Sequence, residues 1–245
     1  MNEQARKVCL ITGSSRALGA EIARVLASQG VEIAINYNKS KKSAITLSNE
    51  INDRGIRAEV IQADVGQPKD ANRLVSRTLD IFGQIDILVN NAGPYVDDPY
   101  LELKLQDFDH VMNTNVRATY LITQIAGKVM KKRGSGNVVN IAATCAFDRR
   151  NTVYGLAKTG VVHLTRQLAL ELAPEVRVNA IAPGLIEDNE DMTEETKNEV
   201  LANTPLGRLA NRKEIAQVLS SICGSGFSSV TGQTIVIDGG FNVGQ

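Results

Sequence analysis

The chain has 245 residues, which is enough for one large α/β domain or two small ones, and we favour a single domain over residues 1–245. Lysine plus arginine equals aspartate plus glutamate at 27 each, so the charge balance gives no support for binding to nucleic acid or to a membrane surface. Three scattered cysteines, a polar N-terminus and the absence of an apolar run of about eighteen residues predict a soluble, cytoplasmic protein.

A glycine turn follows the first predicted strand. Residues 7–12 form the predicted strand, Gly13 and Gly19 bracket the turn, and a helical pattern begins at the end of it. Backbone N–H groups at the start of such a helix can bind a phosphate, and the helix dipole favours the negative charge. A purely structural strand-to-helix turn also needs glycine, so this motif alone leaves both interpretations open.

The end of the second strand, over residues 31–36, bears on the choice of dinucleotide. An acidic residue there would bind the ribose 2′-hydroxyl of NAD, whereas this chain has Arg16 in the glycine turn and, after the strand, Tyr37, Asn38 and Lys39. This arrangement favours a 2′-phosphate and therefore NADP(H). The alternative is that Lys39 and the lysines after it only solvate the start of the next helix.

Strands and helices then alternate. A strand over residues 58–63 ends at Asp64 and Val65, a helix covers residues 68–82, and a strand over residues 85–89 runs into Asn91, Ala92 and Gly93. Asp64 is explained equally well as a helix cap, but it falls at the edge where open α/β sheets bind ligands. The alternation predicts an α/β fold of Rossmann type, with a doubly wound parallel sheet and helices on both faces.

One long helix is predicted over residues 106–132. It contains Asn115, which is unfavourable in a helix interior, so its side chain is either exposed or used. A strand over residues 137–141 and a short turn follow, and then a helix carries Tyr154 and Lys158 on one face. An ammonium group beside a phenol favours the phenolate and lowers a pKa of about 10, so Tyr154 could protonate an alkoxide. By itself the pair is more simply a surface helix pair.

The C-terminal third contains two further strands, over residues 176–181 and 231–238. Between them, residues 187–205 are acidic and poor in large apolar side chains. This stretch is either a substrate lid or a solvated surface insertion. Val200 and Leu201, with Met192 and the loop residues Pro94, Tyr95 and Val96, suggest a partly apolar pocket, and Arg149 and Arg150 could meet an acidic substrate.

With these motifs in order, nearly the whole chain resembles the short-chain dehydrogenase/reductase family, and within it the 3-oxoacyl-carrier-protein reductase-like group. The motifs that carry the resemblance are residues 12–19, Asp64 with Val65, residues 90–93, Asn115, Tyr154 with Lys158, residues 177–179, Pro183 with Gly184, and residues 231–233. Jointly they are highly specific.

The resemblance implies roles for individual residues. Tyr154 would be the general acid, Lys158 would lower its pKa and hold the nicotinamide ribose, and Asn115 would anchor a water. The residues implied around the cofactor are Gly13, Ser14, Ser15, Arg16, Leu18, Gly19, Asp64, Val65, Asn91, Ala92, Gly93, Pro183, Gly184 and Ile186. It also implies a small-molecule or carrier-bound carbonyl substrate and a homotetramer or homodimer formed through the last helix and strand.

Three positions depart from the family pattern. Ala17 stands where glycine is usual and would be tolerated at negative φ. Ala143 stands where the catalytic serine is usual, and Thr144 beside it is either a replacement or a packing residue. Asp188 stands where a threonine often contacts the cofactor, and an acid near phosphates needs a cation as a partner.

The leading hypothesis is therefore an NADPH-dependent oxidoreductase that reduces a ketone, such as a 3-oxoacyl thioester, to an alcohol. Two alternatives follow from Ala143 and Asp188. One is an NADP(H)-binding protein whose catalysis has weakened, and the other is a biosynthetic tailoring reductase whose unusual substrate supplies its own hydroxyl.

Overall fold

The computed structural model describes residues 6–147, 152–188 and 193–244. Within these ranges seven parallel strands form one sheet in the order β3-β2-β1-β4-β5-β6-β7. The strands are β1 Val8–Ile11, β2 Glu32–Tyr37, β3 Ala58–Gln62, β4 Ile87–Asn90, β5 Gly136–Ile141, β6 Val176–Pro183 and β7 Thr234–Ile237. The predicted Rossmann-like fold is confirmed, and each predicted strand is found within about three residues of its expected ends.

Helices cover both faces of the sheet. They are α1 Ala17–Ser28, α2 Lys41–Asn52, α3 Pro68–Phe82, α4 Leu105–Met112, α5 Ala118–Arg133, α6 Val153–Leu172, α7 Glu194–Ala202 and α8 Arg212–Ile222. One buried apolar cluster joins α1, α2 and α8 to the sheet, and a second joins α3, α5 and α6 to the other face. No described helix is long and apolar enough to span a membrane.

The helix predicted over residues 106–132 is found as one helical stretch, and a π-helical segment, Asn113–Arg117, lies within it between α4 and α5. Within it the side-chain Nδ2 of Asn115 donates to the carbonyl of Val111 at 3.0 Å and to that of Pro94 at 3.2 Å. The side chain therefore competes for a carbonyl that a regular α-helix would bond through its backbone. Such π segments occur frequently at functional sites.

Candidate active site

The carboxyl ends of all seven parallel strands lie at one edge of the sheet. The strand order reverses between β1 and β4, so the connections after these two strands leave a crevice between them. In open α/β sheets, ligands bind in this crevice. The glycine turn after β1 and the segment Asn91 to Gly93 after β4 are its two sides.

Two amide side chains hold the glycine turn in place. Asn36 at the end of β2 accepts from the Gly13 N–H through Oδ1 at 2.9 Å, and its Nδ2 donates to the carbonyl of Ala63. From the other side, Asn91 Nδ2 donates to the carbonyls of Thr12 and Gly13, each at 3.0 Å. Asn36 was not among the predicted site residues. Its signal in the sequence is an asparagine inside an otherwise apolar strand.

Ala17 contradicts the expectation of a negative φ. Its φ is +49°, and it is the one non-glycine residue in the described ranges with a positive φ. This region favours glycine, because a Cβ crowds the backbone there. The turn has therefore kept the conformation that suits glycine, and the alanine is accommodated at the expense of stability.

A cavity of about 560 Å³ adjoins the turn. Ser15 and Arg16 line it together with Lys42 of α2 and Arg212 and Lys213 of α8. Asn38 and Lys39 are exposed and Tyr37 is buried, and these three residues are outside the cavity lining. An open cavity with basic walls beside a glycine turn fits an anionic nucleotide, so the residues present are compatible with a dinucleotide cofactor.

Asp64 is engaged within its own turn. Its Oδ1 accepts from the Gly66 N–H at 3.0 Å, and its backbone N–H donates to Asp70 at 2.8 Å. Val65 is buried in the core, as is Leu18 in α1. Any contact of these residues with a cofactor would therefore depend mainly on their backbones and on the exposed part of Asp64.

Gly93 and Asn115 lie against each other below the crevice. Any side chain at position 93 would collide with the Asn115 carboxamide, so only glycine fits there. Asn115 is 1 % exposed, and its Oδ1 has no hydrogen-bond partner in the described structure. A buried acceptor of this kind is normally paired, so the atom can receive a donor from a water or a ligand.

Tyr154 and Lys158 lie one turn apart near the start of α6, as predicted. Lys158 Nζ is 5.2 Å from the centroid of the Tyr154 ring and donates to the Ile141 carbonyl at 2.7 Å. Tyr95, from the loop after β4, packs its ring edge-on against Tyr154 with 5.0 Å between the centroids. Tyr154 is half-buried, whereas Lys158 is almost fully buried.

The electrostatics of this pair differ from the expectation. Burial raises the pKa of the Tyr154 phenol well above its ordinary value, and nearby Cys145 and Tyr95 raise it further. Burial also lowers the pKa of Lys158 to about 8. Loss of hydration thus outweighs the predicted lowering of the Tyr154 pKa by Lys158. Tyr154 stays protonated, and Lys158 titrates near neutral pH.

The loop before α6 contains the two candidate positions for a second donor. Ala143 is extended, with φ −162° and ψ 161°, and is half-buried, whereas Thr144 is 4 % exposed. Thr144 begins the short 3-10 turn Thr144–Ala146, and its side chain is buried whereas position 143 is partly open to solvent. This geometry gives no support to Thr144 as the replacement for a serine at 143.

Pro183, the last residue of β6, is buried, and Gly184 and Ile186 after it are half-buried. Asp188, the third departure, has the cationic partner that its position requires. Its Oδ2 lies 3.0 Å from Arg212 Nη1, and Arg212 Nη2 also donates to its carbonyl at 2.7 Å.

In the region predicted as a lid, α7 has no buried residue. Met192, Arg149 and Arg150 lie outside the described residues.

A buried chain of polar side chains supports the β4 side of the crevice. Asn90 Nδ2 donates to Thr123 of α5 at 2.9 Å and to Asn140 of β5 at 2.8 Å, and Asn140 Nδ2 donates to Thr165 of α6 at 2.9 Å. The signal in the sequence that could have predicted this chain is the presence of polar residues near the ends of two central strands. The chain fixes β4 and β5 relative to the helix that carries Tyr154.

Comparisons with known proteins define the class. Residues 13–242 match a family model described as enoyl-(acyl carrier protein) reductase. The 3-oxoacyl-[acyl-carrier-protein] reductase of Synechocystis is 36 % identical over 239 residues, which cover 96 % of each chain. The chain belongs to the short-chain dehydrogenase/reductase family. It is accordingly an oxidoreductase of the carbonyl–alcohol type, and its relatives in the family bind a nicotinamide cofactor.

Two solved structures illustrate the range of cofactors among similar proteins. A blue fluorescent protein from a metagenomic library, in complex with NADPH, is 33 % identical, with a TM-score of 0.90 and coverage of 96 % of this chain and 97 % of that one. A 7α-hydroxysteroid dehydrogenase, in complex with NADH and 7-oxo glycochenodeoxycholic acid, is 29 % identical. Its TM-score is 0.91, and the match covers 96 % of this chain and 93 % of that one.

Proposed function

We propose that the protein reduces a ketone to a secondary alcohol with NADPH, and that the Tyr154 hydroxyl donates the proton. The observation that carries the proposal is the position of Tyr154 and Lys158 on α6, with Lys158 bonded to the last residue of β5 at the ligand-binding edge of the sheet. A ketone bound there would have a proton donor beside the crevice that fits a dinucleotide.

The bound cofactor would supply the hydride. The glycine turn and Arg16 would hold its phosphates, since they line the basic cavity, and Lys158 would hold the nicotinamide ribose. Tyr154 would orient the carbonyl oxygen through its hydroxyl and transfer the phenolic proton to the alkoxide as it forms. A raised pKa keeps that proton on Tyr154 until an anion develops on the substrate.

The proton taken from Tyr154 has to be replaced. Lys158 is placed to assist, because its ammonium group lies over the tyrosine ring and titrates near neutral pH. Asn115 would hold a water through its unpartnered Oδ1, and this water would connect Lys158 to solvent. With Ala143 in place of a serine, the oxyanion would have one side-chain donor fewer, which costs about 10² to 10³ in rate.

A 3-oxoacyl thioester is the first substrate class to test, because a relative that is 36 % identical to this chain is named 3-oxoacyl-[acyl-carrier-protein] reductase. The family model carries an enoyl reductase description, so reduction of a carbon–carbon double bond has to be tested beside it. Tyr154 does not distinguish the two, because hydride addition to an enoyl thioester gives an enolate that also has to be protonated, so the choice depends on the assay.

A second candidate is an NADP(H)-binding protein with weakened catalysis, which the missing hydroxyl at Ala143 favours. One assay separates the two. NADPH consumption, with NADH in parallel, is measured against 3-oxoacyl thioesters, enoyl thioesters, simple ketones, cyclic diketones and quinones. Turnover of a ketone supports the reductase, whereas tight NADPH binding without turnover of any of these compounds supports the binding protein.

A further inference from the structure

The basic cavity beside the glycine turn brings together parts of the chain that are far apart in sequence. Its walls come from the N-terminal parts of α1, α2 and α8. Five of the lining side chains are cationic and two are anionic; they are Arg16, Arg24, Lys42, Arg212 and Lys213, with Glu21 and Asp188.

The charges in this cavity are only partly compensated within the protein. Arg24 forms an ion pair with Glu50 at 3.0 Å and another with Glu21 at 3.4 Å, and Arg212 is paired with Asp188. Over the described residues, no carboxylate lies within ion-pair distance of the other three cations, Arg16, Lys42 and Lys213. Their mutual repulsion favours an anion between them.

We propose that Lys213 of α8, together with Lys42 of α2, is a specificity-determining residue that recognises the 2′-phosphate of the cofactor. This proposal rests on the NADPH preference proposed above and names the residues responsible for it. A phosphate monoester carries a charge of about −1.5 to −2 at pH 7, which the uncompensated lysines and Arg16 can neutralise. NADH has a hydroxyl at that position and gains no such contact from the two lysines.

In this proposal the discrimination between NADPH and NADH comes from lysines of α2 and α8 and not from the residues after β2. The sequence pointed to Arg16 and to the residues around Lys39 at the end of β2, but Lys39 is exposed and does not line the cavity. Lys213 comes from the helix that packs on α1 from the C-terminal third of the chain. The adjacent Arg212 is already engaged with Asp188, so Lys213 is the cation of α8 that remains available to a ligand.

The test compares Lys213→Ala and Lys42→Ala with Lys132→Ala, a control at the exposed C-terminal end of α5. Dissociation constants for NADPH and NADH are measured by calorimetry, with adenosine 2′,5′-bisphosphate and 5′-AMP as probes that lack the nicotinamide. We expect each cavity variant to weaken NADPH and the bisphosphate about three- to tenfold and to change NADH and 5′-AMP by less than about twofold. The difference should shrink between about 0.05 and 0.5 M salt.

Equal weakening of NADPH and NADH by Lys213→Ala would overturn the proposal, because a merely structural role would act on both. Unchanged NADPH affinity would overturn it too. The Arg16→Ala variant shows whether only the role of Lys213 is wrong or whether the proposed NADPH dependence is wrong as well. If Arg16→Ala removes the NADPH preference while Lys213→Ala is silent, the NADPH-dependent reductase stands without the contribution of α8. A wild-type protein that binds NADH as tightly as NADPH would contradict both.

Discussion

The ammonium group of Lys158 donates a hydrogen bond to the backbone carbonyl of Ile141, with 2.7 Å between the two atoms. The bond fixes α6 to the end of β5, and the burial that accompanies it lowers the pKa of Lys158 to about 8. Lys158 is therefore the group of the proposed catalytic pair that changes its charge near neutral pH.

The first prediction concerns the pH profile of the reaction. The ammonium form of Lys158 exists below its pKa, so kcat/KM for the reduced cofactor should be highest below about pH 8 and fall as the pH rises through that value. Lys158→Arg keeps its charge and should lose this alkaline limb. A wild-type profile that stays flat to about pH 9.5, more than a unit above that pKa, would contradict the assignment.

The same shift has a second consequence, for stability. The folded protein releases the Lys158 proton near pH 8, whereas the unfolded chain keeps it to about pH 10.4. Between these values the unfolded state binds more protons, so this group's contribution to the free energy of unfolding increases with pH. In urea unfolding, the free energy of unfolding of Lys158→Met relative to that of the wild type should therefore be highest below about pH 8 and should decrease above it. A difference independent of pH would argue against the shifted pKa.

Ala17 carries a prediction about stability. Its φ of +49° is costly for alanine, so Ala17→Gly should raise the free energy of unfolding by about 0.5–1 kcal/mol after the greater flexibility of glycine in the unfolded chain is included. Ala20→Gly, three residues later inside α1, is the matched control and should lower it by about 1 kcal/mol. Thermal unfolding of both variants checks the signs. A destabilised Ala17→Gly would show that the turn does not strain the alanine.

The missing hydroxyl at position 143 gives a prediction about rate. Ala143→Ser should raise kcat for ketone reduction by about 10² to 10³, because it restores a donor to the developing oxyanion. Thr144→Val should change kcat by less than about threefold, since Thr144 is buried whereas position 143 is partly open to solvent. Single-turnover kinetics on both variants separates the positions. A large loss in Thr144→Val would identify Thr144 as the replacement donor.

Local signals in the sequence were sufficient for most of the fold. The α3 helix was predicted with its observed bounds because Pro68 opens it and Gly83, with φ +77°, closes it. The π segment at Asn115 could not be predicted in this way, because it involves a side-chain bond to Pro94, twenty-one residues earlier.

In the candidate site, too, some residues could be placed from local spacing, whereas others depend on packing between distant parts of the chain. Tyr154 and Lys158 share a helix, so their proximity follows from spacing alone. Lys213 lines the same cavity as Lys42 and Arg16 only because α8 packs on α1. This contact joins the two ends of the chain, so no local sequence pattern predicts it. The positive φ of Ala17 depends likewise on how the turn joins β1 to α1.

The most direct test of the account is the effect of Tyr154→Phe on the reduction of a 3-oxoacyl thioester by NADPH. Tyr120→Phe, the same change on an exposed tyrosine of α5, is the control. We predict that Tyr154→Phe lowers kcat by about 10² to 10⁴ while NADPH affinity stays within about threefold, because the variant removes only the proton donor. Turnover at the wild-type rate in Tyr154→Phe would show that another group protonates the alkoxide and would contradict the proposed mechanism.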